Sequence, residues 1–198
     1  MVSVYKLNVM ILWIGLLLVT LSGPAVSMQF TEVTWHGHAV LQAKGTIIAG
    51  DAAKFVKAIK SIAPLPHGFP VLLLDSAGGS VSEALKISAM LDRTPTHTVV
   101  PRGVKCASAC ASIVFVAGRL RTVEEGGFIG QHSCSLSGIV NEECNKIISR
   151  HAFAHGVSYG SIHAFITYIS PKNILWFARD HIDCWGISRY AFETAKRL

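Results

Sequence analysis

Asp75-Ser76-Ala77-Gly78-Gly79-Ser80-Val81 and Cys106-Ala107-Ser108-Ala109-Cys110 are the two stretches that decide how this chain reads. The first follows an apolar run, Val71-Leu72-Leu73-Leu74, and opens an amphipathic segment over residues 81–93, which predicts strand, glycine turn and helix. The second sets a serine among small residues ahead of Ile113-Val114-Phe115-Val116-Ala117. Small neighbours leave a hydroxyl accessible. Paired glycines can turn backbone N–H groups toward a ligand, because glycine tolerates positive φ and lets another backbone approach closely. Adjacent N–H groups of this kind can hold a developing oxyanion. His132 is the first histidine after Ser108 and the natural candidate for a base.

Working outward, Ala52 to Ile62 carries Phe55, Val56, Ile59 and Ile62 at helical period, with Asp51 as the expected N-cap. Residues 31–43 alternate as a strand or hairpin, and Gly45 to Gly50 reads as a turn and short strand. Thr98-Val99-Val100, Arg121-Thr122-Val123 and Phe128 to His132 are further strands. Asn141 to His155 reads as a helix with Cys144, Ile147, Ile148 and Phe153 inward. Tyr159 to Ile169 is a second helix, and Asn173 to Ile187 a third segment. This alternation predicts an α/β architecture with right-handed crossovers.

Composition bounds the classes. The chain has 198 residues, 51% hydrophobic and 15% charged, which suits one packed domain rather than a disordered one. The net charge of +6 comes with no basic stripe interleaved with aromatics, so nucleic acid is not an expected partner. Residues 1–27 read as a signal peptide. Lys6 precedes an apolar run within residues 7–21, and Ala25-Val26-Ser27 resembles a small-residue cleavage site before Met28. An uncleaved membrane anchor is the alternative. Either way the domain over 28–198 is expected to be exported, to the periplasm or to the periplasmic face of an inner membrane.

The five cysteines all lie in that exported part, where disulfides persist. Cys134 and Cys144 bracket a polar loop beside His132 and are the first candidate pair. Cys106 and Cys110 flank the serine and are the second, which leaves Cys184 over. No paired C-x-x-C accompanies histidines at metal spacing, so neither a metal nor another cofactor is expected.

The succession S-A-G-G-S-V, C-A-S-A-C, A-G-R and G-Q-H resembles the Clp protease proteolytic subunit and its exported relatives over residues 40–188. The intervals agree: 29 residues from Gly79 to Ser108 and 24 from Ser108 to His132. Alanine stands where that family's turn carries proline. The resemblance implies a crotonase-like spiral of ββα units and self-association into homo-oligomers. For the site it implies Ser108 as nucleophile, His132 as general base, and the amides of Gly79 and Ala109 as oxyanion donors. The family's acid precedes an aromatic-Gly-apolar sequence like Trp185-Gly186-Ile187. Counting back from there meets Ile174 near the acid's place, with Asn173 beside it and Asp180 closer to Trp185. The expectation is a Ser–His dyad, or a triad in which Asn173 or Asp180 orients His132. The function implied is an exported serine peptidase acting on peptide or protein substrates. The rivals are a non-catalytic binding or scaffold module on the same fold, and a crotonase-type acyl-CoA enzyme, which shares the glycine turn but does not need Ser108.

Overall fold

A computed structural model describes residues 27–190. The apolar segment and most of the cleavage motif lie outside the described residues. Among the described residues no helix is long and apolar enough to cross a membrane.

Two strands open the fold, β1 (Gln29–Trp35) and β2 (His38–Lys44), paired antiparallel. His36 and Gly37, both at positive φ, make the two-residue turn between them. Helix α1 (Asp51–Ile59) leads through a proline-rich loop to β3 (Val71–Asp75). β3 is buried on both faces, which explains its unbroken apolar run. Helix α2 (Val81–Arg93) starts at Ser80, whose hydroxyl accepts a hydrogen bond from the Glu83 amide. It buries Ala84, Ile87, Ser88 and Leu91. Strand β4 (His97–Val100) follows, then β5 (Lys105–Ala107), a π-helical segment (Cys110–Phe115), β6 (Leu120–Val123) and β7 (Phe128–Gln131). The chain continues through a small hairpin, β8 (Ser135–Leu136) and β9 (Ile139–Val140). Helices α3 (Glu142–Ala154) and α4 (Tyr159–Tyr168), strand β10 (Leu175–Phe177) and helix α5 (Arg179–Cys184) complete it.

One sheet runs β1-β2-β3-β4-β6, parallel from β2 onward, and a second runs β10-β7-β5. An isolated bridge between Ser76 and Cys106 connects the end of β3 to β5. The main core lies between the first sheet and α1, α2 and the π-helical segment, around Phe55, Leu72, Leu74, Ile113 and Phe115.

Several expectations are corrected. Gly50 in left-handed conformation, not Asp51, occupies the N-cap of α1. Residues 45–50 form only isolated bridges, at Thr46 and Ile47. In α3 the inward residues are Asn145, Ile148 and Ala152, while Ile147 and Phe153 are exposed. Residues 173–187 split into a strand and a helix, because β10 finds an antiparallel partner in β7. Both expected cysteine pairs are disulfides, and Cys184 is free and exposed.

Candidate active site

Ser108 stands between β5 and the π-helical segment at φ 55, the left-handed region that a non-glycine residue rarely adopts. Its amide donates to the Gly130 carbonyl of β7 at 2.9 Å, and its carbonyl accepts from the Ser112 amide at 2.8 Å. Both hydrogen bonds fix a backbone that would otherwise relax. An L-residue held there points its side chain out of the strand, as a nucleophile at a strand-to-helix turn must.

The glycine turn packs directly on this serine. A Cβ at Gly78 would lie 2.6 Å from the Ala107 carbonyl oxygen and 2.8 Å from Ser108 Cβ. A Cβ at Gly79 would overlap the Ile47 carbonyl oxygen. Both positions therefore need glycine for space as well as for their φ of 94° and 141°. The Gly78 amide is already used: it donates to Ser76 Oγ at 3.1 Å. Among the described residues, no turn or inter-element hydrogen bond uses the amides of Gly79 or Ala109. Ala109 heads a helical segment, where the first N–H groups have no intrahelical acceptor.

His132 lies one residue beyond β7. Its Nδ1 sits 2.7 Å from the Ser133 carbonyl oxygen. A carbonyl can only accept, so Nδ1 carries the proton and Nε2 keeps its lone pair. Gly79, Ser108, Ala109, Ser112, His132 and Ile148 share the lining of one cleft of about 170 Å³. Both Ser108 and His132 are half-buried in it.

Asn173 and Asp180 are exposed and do not line the cleft. Leu175 opposes Gln131 in the β10–β7 register, and the Ile174 and Trp176 side chains lie against Gly130. The strand segment beside His132 is thus apolar, and the carbonyl of Ser133 is what meets the imidazole.

The Ser112 hydroxyl donates to Gln131 Oε1; Ser112 lines the cleft wall, and both residues line an apolar cavity of about 20 Å³ behind it, with Val116, Ile162 and Phe165. Its position four residues after Ser108, one helical turn on, was the available signal. Among the described residues no three His, Cys, Asp or Glu side chains gather as a metal site.

No protein-family profile matches the chain, and no curated protein matches it in sequence. Solved structures do resemble it. One is a mutant of the 1510-N membrane-bound stomatin-specific protease, at TM-score 0.56 and 20% identity, covering 79% of this chain and 81% of that one. Another is a second mutant of that protease in complex with a substrate peptide, at TM-score 0.58 and 20% identity, covering 74% of this chain and 71% of that one. The mixed α/β fold of the chain is therefore one that a protease also uses.

Proposed function

We propose that the chain is an exported serine peptidase of the Clp-like type, with Ser108 as nucleophile and His132 as general base. The observation that carries this is the left-handed Ser108 beneath the glycine turn, facing the same cleft as His132. In the reaction, His132 Nε2 takes the Ser108 proton as Oγ attacks the peptide carbonyl. The unused amides of Gly79 and Ala109 receive the oxyanion. His132 then protonates the leaving amine, and water releases the acyl group by the reverse sequence. The Ser133 carbonyl fixes the tautomer, as the acid of a triad does, but as a neutral acceptor it stabilises the imidazolium less.

The same reading takes the fold as a spiral of ββα units, residues 1–27 as a cleaved signal or anchor, and the mature domain as a periplasmic homo-oligomer. Two disulfides favour an oxidising compartment. Exposed Leu136, Ile139, Tyr168 and Trp185 offer apolar surface for a second copy.

The second reading, a non-catalytic binding module, draws on the absence of any carboxylate hydrogen bond to His132 among the described residues. A fluorophosphonate probe separates the two. The peptidase reading expects labelling of wild type and none of a folded Ser108→Ala variant, with His132→Ala labelled at least 100-fold more slowly. Wild type that binds peptide yet resists the probe would establish the binding module.

A further inference from the structure

We propose that the Cys106–Cys110 disulfide is the positioning device of the nucleophile: it holds Ser108 in the left-handed conformation that aims Oγ into the cleft. This rests on the reading of Ser108 as nucleophile. The two cysteines stand two residues either side of the serine, with Cα atoms 5.4 Å apart and both side chains fully buried. In the G-x-S-x-G turn of other serine hydrolases those flanking positions are glycines, whose freedom permits the sharp turn. Here they are cysteines, so the turn is enforced by a covalent ring rather than permitted by absent side chains.

The ring is anchored where the site's other parts meet. Cys106 bridges Ser76, two residues before Gly78, and pairs in register with Ile129 on β7, the strand that leads to His132. Cys110 begins the π-helical segment. The crosslinked turn is therefore joined, through the backbone of Cys106, to both the glycine turn and the strand that leads to the base. Three backbone hydrogen bonds hold the same segment, from the Ala107 amide to Ser76, from the Ser108 amide to Gly130 and from the Ser112 amide to Ser108, and the disulfide closes the turn covalently across both sides of the serine. Positive φ at a non-glycine residue persists only where its surroundings over-determine it.

The test measures fluorophosphonate inactivation of the full mature domain as kinact and KI across pH. Variants are wild type and Cys106→Ala/Cys110→Ala, each checked by circular dichroism. The expected result is a kinact at least 10-fold lower in the double variant, with KI within threefold and the pH midpoint unmoved. A general loss of structure would alter all three. Should the double variant not fold, wild type is treated with a dithiol. Two electrons and two protons pass to each cystine as the reagent closes to its own disulfide, and mass spectrometry reports which cystine has opened. Opening of Cys106–Cys110 is expected to lower kinact by the same factor, and reoxidation to restore it. Equal kinact with the crosslink open and closed overturns the inference and leaves the serine mechanism standing. Wild type that is never labelled overturns the serine mechanism and this inference with it.

Discussion

Ser108 and Gly78 meet closely in the site, where a Cβ on Gly78 would stand 2.8 Å from Ser108 Cβ. The serine's turn brings its Cβ up against the space a side chain on Gly78 would need, so the two conformations depend on each other. Replacing Gly78 with alanine adds a backbone overlap to an unfavourable φ, and we expect a loss of about 3 kcal/mol or more together with most of the probe reactivity. Gly103 is a useful contrast. Its φ of 79° is equally left-handed, yet nothing lies within 4 Å of an added Cβ. Gly103→Ala is expected to lose about 1 kcal/mol and to leave labelling intact. Denaturant midpoints of the two variants check this, and equal midpoints would show that the contact with Ser108 is not what Gly78 protects. The sequence made this cluster legible because small residues and paired glycines are unusual around a serine. It did not show the partner of His132, because a backbone carbonyl leaves no mark on residue identity.

Helix α1 shows what periodicity reads and what it misses. Its apolar face, Phe55 and Ile59, was evident from spacing, but its capping was not. The N-cap residue is Gly50, which has no side chain to offer. The carboxylate of Glu83 on α2 supplies the acceptor, taking hydrogen bonds from the Gly50 amide at 3.0 Å and the Ala52 amide at 2.9 Å. Lys86 neutralises its other oxygen at 2.9 Å. The Ala52 hydrogen bond, then the one from Lys86, hold the Glu83 pKa below the ordinary carboxylate value. A cap lent by another helix some 30 residues away has no local signature, so sequence reasoning gave the role to Asp51. Asp51 instead accepts from the Ile48 amide and from Lys54 within its own turn. Glu83→Ala would leave two amides without acceptors, and we expect a destabilisation of about 2–4 kcal/mol. Glu83→Gln keeps one acceptor and should lose about half as much. Urea unfolding of both variants tests this, and equal losses would show that charge, not capping, is what the helix requires.

Acid tolerance is a property of the whole molecule, and two histidines far apart in the sequence bear on it, His97 buried and His151 half-buried. On the first sheet, the Phe69 amide donates to His67 Nδ1, so His67 Nε2 carries its proton toward His97 Nδ1 at 3.3 Å. His97 Nε2 in turn donates to Thr122 Oγ1 at 2.8 Å. This chain of donors leaves no place for a second proton on His97. Burial first, and His67 second, lower its pKa to about 4. Between α2 and α3, His151 meets Ser88 Oγ at 2.6 Å. Burial first, then His155, lower its pKa to about 4 also, against an opposing pull from Asp92. In the unfolded chain each histidine takes a proton near pH 6.5, whereas the folded protein resists until about pH 4. The unfolded state therefore binds more protons across that interval, so stability is full above pH 6.5 and falls as pH is lowered toward 4. The loss is on the order of 3 kcal/mol for each histidine. Below that interval the depressed Glu83 carboxylate acts in the same direction. We expect Tm to fall steadily from pH 7 to pH 4, and His97→Asn to be less stable at pH 7 but flatter across the interval. Thermal unfolding in buffers of matched ionic strength measures both. A wild-type Tm that stays level from pH 7 to pH 4 would show that neither imidazole is held neutral, and with it that the His67–His97–Thr122 chain does not run in the direction assigned.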